Sequence, residues 1–392
     1  MAVPGTMRAA VYYTNRDVRV EERPIPEIGP GEALVRTEAC GLCGSESMEW
    51  YQAPRAPRIL GHEPAGVIVE VGEGVSGYAV GDRVFVHHHV PCHDCRDCQR
   101  GAHTYCAGYA ATGIDPGGFA DYFRVPAENV REMLKLPEHI SFEDACIIEP
   151  MSDCLYGMHK LRVLSGDTIA IVGVGFMGLC FVQLARLWPF ARIVALDFSD
   201  WRLERALEMG ATHVINPKRT DAAEALREVN AGRLADTVVS TAPSARAWEA
   251  ALALVGTGGT LHVNAPPHPD ERAEVDPNHL YFTGITINNG YSSTGAETSA
   301  VLELMASGRV DAGALITHRF GVAGPAAGIG LIRAADDSIK SVIGPSLTRT
   351  SCSPCRETLI DAVPRAARGS LRHEPGAARA GPGGVDRWQR QR

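Results

Sequence analysis

The sequence predicts an α/β protein with a mostly β first domain and a second domain built on a doubly wound parallel sheet. The first 150 residues are rich in Val, Gly and Pro, and from about residue 151 apolar runs alternate with amphipathic segments. A Gly-rich turn, GVGFMG, joins the first of these runs to the segment that follows it. Such alternation is typical of a parallel sheet covered by helices.

Residues 1–150 form the predicted β domain. Short apolar runs are bounded there by Gly and Pro, which favour turns between strands. The predicted strands include EALVRTEA, AGVIVEVG and GDRVFVHHH.

Residues 151–291 form the predicted parallel-sheet domain. The predicted strands are TIAIV, RIVALD, THVIN, DTVVSTA, GTLHVNA and ITINNG. Helices are predicted between them at FMGLCFVQLARLW, DWRLERALEMG, DAAEALREVNAG and ARAWEAALALVG. Residues 292–345 add one helix and two short strands, and we expect this segment to pack back on the first domain.

Residues 346–392 are predicted to be a disordered basic tail. The segment contains nine Arg, four acidic residues and much Pro and Gly, with little hydrophobic periodicity. Such a composition provides too little apolar surface to form a packed core. A tail that binds a partner is the functional alternative, and an extension without a role is the interpretation that we favour.

Composition and charge exclude several classes of function. The net charge of −8 argues against binding to nucleic acid or anionic membranes. No apolar run of about 18 residues occurs, so no transmembrane helix is predicted, and the N-terminus lacks the apolar stretch of a secretory signal. We therefore expect a cytoplasmic protein, in which clustered cysteines are metal ligands more often than disulfides.

The Gly-rich turn predicts a dinucleotide site. Gly173, Gly175 and Gly178 follow a buried strand and begin a helix. These positions require Gly for a tight turn, for the close approach of a pyrophosphate and for packing of helix on strand, and the helix N-terminus offers free N–H groups to phosphates. Asp197 lies 19 residues after Gly178, where a carboxylate binds ribose hydroxyls and repels a 2′-phosphate, so NAD is predicted rather than NADP. A Gly-rich turn in an unrelated α/β protein is the alternative.

Four cysteines close together predict a structural metal site. In the pattern C-x2-C-x2-C-x7-C they are Cys92, Cys95, Cys98 and Cys106. Four thiolates suit tetrahedral zinc and leave no position open for a substrate. Disulfides are the alternative, which a reducing compartment disfavours. Because this ligand set is complete, the preceding run HHH at 87–89 is interpreted as loop histidines.

A second metal site has two interpretations on spacing alone. The candidate ligands are Cys43 in ACGLCGSE, His62 and Glu63 in GHEPAG, and Glu149 in IIEPMSD. One thiolate, one imidazole and one or two carboxylates could hold a zinc ion with one position open. A buried Cys and a hydrogen-bonded His are the alternative, and spacing does not separate the two.

Taken together, these motifs resemble the zinc-dependent medium-chain alcohol dehydrogenases over residues 7–345. The resemblance is carried in order by GLCGSE, GHEPAG, VGEGVSGYAVGDRV, the cysteine segment 87–106, GGFADY, EP and GVGFMG. It is closest to the sorbitol and threonine dehydrogenase branch, where a Glu in EP replaces the Cys of liver-type enzymes, and cyclitol dehydrogenases of aminocyclitol antibiotic pathways are similar too. The resemblance implies a GroES-like catalytic domain, a Rossmann domain and an active site in the cleft between them.

The resemblance also implies roles for individual residues. Cys43 and His62 would bind the catalytic zinc, with Glu63 or Glu149 completing the shell. Ser45 matches the hydroxyl that takes the substrate proton. The implied reaction is hydride transfer from a secondary alcohol of polyol or cyclitol type to NAD, giving a ketone, with two zinc ions per chain.

Five more positions bear on this resemblance. Phe176 and Met177 lie inside the cofactor-binding turn, and Lys340 in SIKSVIG matches a position that often contacts the cofactor phosphates. Glu46 stands where the family usually has Asp as a partner of the zinc-bound His. Met48 departs from the family, which often has a proton-relaying His there. The proton would then leave through the cofactor ribose and water or through another group, and we expect Met48→His to be active.

Two other functions stay open at this point. The same machinery could oxidise an amino alcohol or aminocyclitol, or reduce a ketone, in a biosynthetic pathway. A non-catalytic relative that binds NAD or a partner belongs to a different class, and the departures at Glu46 and Met48 give it some support. The family further implies a homo-oligomer, a dimer or tetramer, whose ligands are a small alcohol and the matching ketone.

Overall fold

The computed structural model contains two large sheets, which differ in the direction of their strands. The structure describes residues 3–335 and 337–345, together with the backbone of 351–352. Within these residues, an eight-stranded sheet mixes parallel and antiparallel pairs, a six-stranded sheet is parallel, and a three-stranded sheet includes the N-terminal hairpin.

The strands are short and cluster in two stretches of the chain. In chain order they are β1 Thr6–Thr14, β2 Asp17–Pro24, β3 Ala33–Leu42, β4 Arg58–Ile59, β5 Glu63–Val71, β6 Arg83–Phe85, β7 Tyr122–Val125, β8 Leu134–Lys135, β9 Thr168–Val172, β10 Arg192–Leu196, β11 His213–Ile215, β12 Ala235–Ser240, β13 Val255–Val263, β14 Thr286–Asn289, β15 Ile316–Phe320, β16 Lys340–Ile343 and β17 Ser351–Cys352.

The longer helices all follow residue 147. In chain order the α-helices are α1 Glu49–Gln52, α2 Arg96–Gln99, α3 Ala107–Ala111, α4 Ala127–Val130, α5 Phe142–Ala145, α6 Ile148–His159, α7 Phe176–Ala185, α8 Asp200–Glu208, α9 Ala222–Val229, α10 Ala245–Leu252, α11 Pro277–Thr283, α12 Gly295–Ala306 and α13 Pro325–Ala334. Short 3₁₀ turns lie at Gly44–Ser47, Ala53–Arg55, His103–Tyr105 and Gly313–Leu315.

The parallel sheet has the strand order β11-β10-β9-β12-β13-β14. Residues 168–171 of β9, at its centre, are buried, as expected of a strand covered on both faces. The helices α7, α8, α9 and α10 alternate with these strands, which confirms the predicted α/β fold. Strand order reverses beside β9, and ligands of such sheets bind in the crevice at the carboxyl ends of the strands near this reversal.

Polar N-cap residues begin four of the helices that follow β10. In each case a side-chain oxygen accepts a hydrogen bond from a backbone N–H of the first turn, which would otherwise lack a partner. The caps of α8, α9, α10 and α12 are Ser199, Asp221, Ser244 and Thr294. Local sequence therefore fixes where these helices begin.

The eight-stranded sheet joins β3, near the beginning of the chain, to the last strands that the structure describes. Strand β16 pairs antiparallel with β3, so Val342 lies opposite Gly41. Strand β3 also pairs with β5, so Gly41 lies opposite Glu63. This pairing places residues 340–343 beside the GLCGSE and GHEPAG motifs.

Helix α6 crosses the predicted domain boundary at 150/151. Nine of its residues are buried, Glu149 in the first turn among them. The segment IIEPMSD is therefore the beginning of a core helix as well as a candidate ligand segment. It packs against α7 and α12, so it lies between the candidate metal ligands and the parallel sheet.

The predicted disordered tail, 346–392, lies outside the described residues except for 351–352, whose backbone pairs with β15. Among the helices that the structure describes, none combines the length and apolar character needed to cross a membrane.

Candidate active site

Two strand ends bring three candidate metal ligands together. Cys43 follows β3, and His62 and Glu63 lie at the beginning of β5, its antiparallel neighbour. The ligand atoms of these residues lie within 4.8 Å of one another. A thiolate, an imidazole and a carboxylate are the donors that zinc prefers, and three protein ligands leave a fourth position for a substrate. Ser45 lies in the 3₁₀ turn directly after Cys43.

Glu46 holds His62 in a metal-binding orientation. Its buried carboxylate has Oε1 3.3 Å from Nδ1 of His62, and it accepts hydrogen bonds from the backbone N–H groups of Gly61 and Cys43. Occupation of Nδ1 leaves Nε2 for a metal, an arrangement common around zinc sites. Burial alone would lower the pKa of His62, but Cys43 and Glu46 raise it well above its ordinary value.

Glu63 is fully buried and forms an ion pair with Lys340. The Lys340 ammonium lies 2.7 Å from Oε1 and 2.5 Å from Oε2 of Glu63. Burial opposes the charge on Lys340, but Glu63 raises the pKa of the ammonium. A methyl group at Gly41 would collide with the Glu63 carboxylate, which explains why Gly occupies that position in β3.

Lys340 contacts the cofactor-binding turn through an aromatic ring. Its ammonium lies 4.3 Å from the ring centre of Phe176, at the beginning of α7. The family resemblance predicts a contact of this lysine with the cofactor phosphates, and the structure places it in the ion pair with Glu63. The phosphate role stays a prediction, and the lysine links the candidate metal site to the turn.

Glu149 lies in the first turn of α6, and its neighbours differ from those of Cys43 and Glu63. Its Oε1 lies 3.8 Å from Nδ1 of His88, and it clusters with His87 and His88 rather than with Cys43 and Glu63. The two clusters adjoin, since the rings of His62 and His88 are 4.8 Å apart. Burial raises the pKa of Glu149 to about 8.

The histidine run lies in a loop, as predicted, and its first residue is fully buried, whereas His88 and His89 are partly exposed. His87 is inaccessible to solvent, and neither of its ring nitrogens has a hydrogen-bond partner among the described residues. Burial lowers the pKa of His87 to about 3, so its imidazole is neutral. The proximity of His88 to Glu149 is a feature that sequence reasoning missed.

The Gly-rich turn has the shape that a dinucleotide requires. Gly173 has a φ of 87°, a conformation that side chains disfavour. A Cβ at Gly178 would collide with the carbonyl of Gly173. A Cβ at Gly175 would meet only the end of Arg202, at 3.8 Å, so the backbone there is open to a phosphate. Met177 lies in the first turn of α7.

Asp197 lies at the end of β10 and fixes the turn. Its two carboxylate oxygens accept hydrogen bonds from the backbone N–H groups of Val174 and Ser199, each at 2.9 Å. The remaining lone pairs of the carboxylate are available to ribose hydroxyls. The residues of the turn and of this strand end therefore fit a nicotinamide dinucleotide.

The four-cysteine segment forms a compact sulfur cluster. The Sγ atoms of Cys92 and Cys98 are 3.9 Å apart, and the pairs Cys95–Cys98 and Cys92–Cys106 are each separated by 3.7 Å. A zinc tetrahedron with Zn–S bonds of about 2.3 Å has sulfur atoms about 3.8 Å apart. None of the nine cysteines that the structure describes forms a disulfide. The geometry thus fits tetrahedral zinc.

Asp153 is a second polar residue that sequence reasoning missed. It lies one helical turn after Glu149 on α6, and burial raises the pKa of its carboxyl to about 7. Asn264, directly after β13, donates a hydrogen bond to Oδ2 at 3.4 Å. The i, i+4 spacing from Glu149 was the available signal, but it required the helix to be known.

A dinucleotide turn beside a Cys–His–Glu metal set defines a class of protein, the metal-dependent dehydrogenases that use a nicotinamide cofactor. Comparison with known proteins agrees. The alcohol dehydrogenase GroES-like domain family matches residues 29–138, and the zinc-binding dehydrogenase family matches residues 177–307.

Curated relatives extend this similarity over most of the chain. Sorbitol dehydrogenase of Bacillus subtilis is 34% identical over 331 residues, which cover 81% of this chain and 91% of the relative. L-threonine 3-dehydrogenase of Caldanaerobacter subterraneus is 32% identical, over 81% of this chain and 92% of the relative. The chain belongs to the zinc-dependent medium-chain alcohol dehydrogenase family.

Solved structures are also similar to this chain over most of its length. 2R,3R-butanediol dehydrogenase of Bacillus subtilis superposes with a TM-score of 0.76 at 27% identity, covering 86% of this chain and 99% of that one. An alcohol dehydrogenase of Escherichia coli CFT073 complexed with NADH superposes with a TM-score of 0.79 at 27% identity, covering 87% and 100%. The chain is thus an NAD(P)-dependent, zinc-binding oxidoreductase of secondary alcohols, which confirms the predicted class.

Proposed function

We propose that the protein oxidises a secondary alcohol of polyol or cyclitol type to a ketone, with NAD as the hydride acceptor. The observation that carries this proposal is the continuous contact from the metal ligands to the cofactor turn. Glu63 pairs with Lys340, whose ammonium lies 4.3 Å from the Phe176 ring. A hydroxyl held at the metal set would therefore lie beside the bound dinucleotide.

Each candidate residue then has a defined task. Zinc held by Cys43, His62 and either Glu63 or Glu149 would lower the pKa of the substrate hydroxyl, and NAD would supply the hydride acceptor. Ser45, two residues after the ligand Cys43, would accept the hydroxyl proton. Two glutamates near one site allow ligand exchange, and Lys340 neutralises Glu63 whenever that carboxylate is not on the metal.

NAD is the proposed cofactor because of Asp197. Its carboxylate lies at the end of β10, hydrogen-bonded to the turn that would hold the pyrophosphate. A 2′-phosphate on the adenosine ribose would meet this negative charge, whereas a free hydroxyl would donate a hydrogen bond to it.

Zinc at the four cysteines would have a structural role, since four thiolates leave no position for a substrate. We also propose a cytoplasmic homo-oligomer, a dimer or tetramer. It is supported by the position of β14 at an edge of the parallel sheet. Tyr281 and Phe282, on the preceding helix, are 81% and 75% exposed. Exposed edges and large apolar residues are typical of subunit contacts.

Absorbance at 340 nm with NAD or NADP tests the proposal. The substrate panel contains simple alcohols, sugar polyols, cyclitols, amino alcohols and threonine. We expect the absorbance to rise with polyols or cyclitols when NAD is the cofactor. Cys43→Ala should lose at least about 1000-fold in kcat, because the substrate hydroxyl loses its Lewis acid, while NADH binding followed by fluorescence stays intact. Undiminished turnover in Cys43→Ala would remove Cys43 from the catalytic set.

A further inference from the structure

The carboxylate of Asp153 lies on the same face of α6 as Glu149. The two residues are four apart, and side chains at this spacing are neighbours on a helix surface. Glu149 is one of the two alternative third ligands of the proposed zinc site, and burial, together with the charges of Glu63 and Asp153, raises its pKa. Asp153 therefore lies one helical turn from the position where the reacting hydroxyl would be held.

Asp153 also contacts the ligand-binding edge of the parallel sheet. Asn264, which follows β13, donates a hydrogen bond to Oδ2 at 3.4 Å. Burial raises the pKa of this carboxyl, and the backbone of Ser292, which follows β14, opposes that rise. Ser292 has a φ of 58°, an uncommon conformation for a residue with a side chain. Both segments leave the carboxyl ends of their strands, where nucleotides and substrates bind in sheets of this kind.

One oxygen of this carboxylate has no partner in the part of the chain that the structure describes. Oδ1 of Asp153 is buried and makes no hydrogen bond with any residue that the structure describes. Lys160, whose charge acts on Asp153, instead donates to the backbone carbonyl of Asn289 at 2.9 Å. Buried acceptors without a partner are uncommon in folded proteins, so an unpaired carboxylate oxygen in a crevice indicates a ligand that supplies the donor.

Aromatic side chains complete this part of the crevice. Tyr291 directly precedes Ser292, and its ring centre lies 6.1 Å from that of Tyr105, in the cysteine segment. Flat apolar rings suit the carbon skeleton of a small ring or chain. A donor on that skeleton would then reach Asp153, while the carbinol reaches the metal ligands.

We infer that Asp153 binds a hydrogen-bond donor, a hydroxyl or an ammonium group, on the substrate carbon next to the one that is oxidised. This inference rests on the proposed function and narrows its substrates to vicinal diols and vicinal amino alcohols. A substrate with a carboxylate at that position would be rejected by the negative charge.

The test compares substrates that share one ring. These are cyclohexanol, trans-1,2-cyclohexanediol, trans-2-aminocyclohexanol and trans-2-hydroxycyclohexanecarboxylate, each assayed with NAD for kcat and KM. The wild type should favour the diol and the amino alcohol over cyclohexanol by about 10- to 100-fold in kcat/KM, as expected for a hydrogen bond to a charged group. The carboxylate should be the poorest substrate.

Two variants assign this preference to one residue. Asp153→Asn should lose about tenfold or more of the preference for the amino alcohol and less of that for the diol, since an amide oxygen still accepts. Asp153→Ala should lose both preferences. Each preference is measured as the ratio of kcat/KM to that of cyclohexanol in the same variant, because cyclohexanol carries no donor for Asp153. Glu204→Gln, an exposed position on α8, is the control for loss of one negative charge and should change no ratio.

The possible results distinguish a failure of the proposed function from a failure of the inference about Asp153. No turnover of any substrate by folded wild type overturns the proposed function and this inference together. Turnover of cyclohexanol with no preference for donors overturns the inference alone. An equal loss on all four substrates in Asp153→Asn, with weaker NADH binding by fluorescence titration, would assign Asp153 to the nicotinamide amide and also overturn it.

Discussion

Glu46 shows how one side chain sets the chemistry of another. Its carboxylate is 1% exposed. It accepts hydrogen bonds from the backbone N–H groups of Gly61, next to His62, and of Cys43, itself a candidate ligand. It therefore cannot move away from His62 without losing both hydrogen bonds. These two backbone N–H groups hold the carboxylate in place although Glu is one methylene longer than the Asp usual in the family.

Replacement of Glu46 by Gln is expected to weaken zinc binding at the catalytic set by about 10- to 100-fold, since partners of metal-bound histidines have effects of this size. Zinc retention against a chelator measures the effect. Glu46→Asp keeps the carboxylate and serves as the control, with most of the affinity retained. The same zinc affinity in the Gln variant as in wild type would show that Glu46 does not orient His62.

Asp153 should also change stability with pH. Burial raises the pKa of its carboxyl from 3.8 to about 7 in the folded protein, so the folded state holds a proton that the unfolded state loses. The stability from this group is complete below about pH 3.8 and is lost as pH rises through 7. The side chain of Asp153→Asn stays neutral at every pH. The free energy of unfolding of this variant, relative to that of the wild type, should therefore rise by at least about 1.4 kcal/mol from pH 5 to pH 8, the equivalent of one pKa unit.

Thermal unfolding of both proteins at pH 5, 6, 7 and 8 measures this difference. Glu204→Gln is the matched control, and its difference from wild type should not change across the series. A constant difference between Asp153→Asn and wild type would mean that the carboxyl of Asp153 titrates at its ordinary pKa.

At the scale of elements, the cysteine segment has little structure apart from its sulfur cluster. Its helices α2 and α3 have four and five residues, too few to be stable alone. Backbone N–H groups of Cys95 and Tyr109 point at sulfur atoms at 3.4 Å, as donors to thiolates do. The metal and not a hydrophobic core would therefore hold this segment.

Cys95→Ala should release one zinc ion per chain and lower the melting temperature, with the second zinc retained. Zinc analysis and calorimetry measure the two effects. Cys180→Ala is the control, because Cys180 is buried in α7 away from both candidate metal centres, and it should keep both ions. Unchanged zinc content in Cys95→Ala would contradict a structural zinc at this cluster.

At the scale of the whole molecule, sequence predicts what is local and contiguous. The alternation of strands and helices follows from hydrophobic periodicity, and the turn from Gly173 to Gly178 follows from the backbone freedom of Gly. The four cysteines lie within 15 residues, so each of these features can be predicted from a contiguous segment. Contacts across the chain are different. Glu63 meets Lys340 because β16 pairs with β3, and Asp153 on α6 meets Asn264, which follows β13 and lies 111 positions away. No local pattern encodes either contact.

The ion pair between Glu63 and Lys340 joins residues 277 positions apart, with the two side chains 0% and 2% exposed. Lys340→Met would leave the Glu63 charge buried without its partner, and a loss of about 3–5 kcal/mol in unfolding free energy is expected. Adding Glu63→Gln should restore part of that loss, because the unpaired charge is removed. Urea unfolding of the zinc-free proteins, followed by tryptophan fluorescence, measures both effects.

Lys135 provides the matched comparison, since its ammonium pairs with Asp82 at 2.7 Å but is 52% exposed. Lys135→Met should cost less than about 1 kcal/mol, because water already screens that pair. The burial of an ion pair, and not the number of ion pairs, then determines how much the contact between the last described strands and the first ones contributes to stability. Equal small losses for the two lysine variants would show that β16 is held by its backbone pairing with β3 alone.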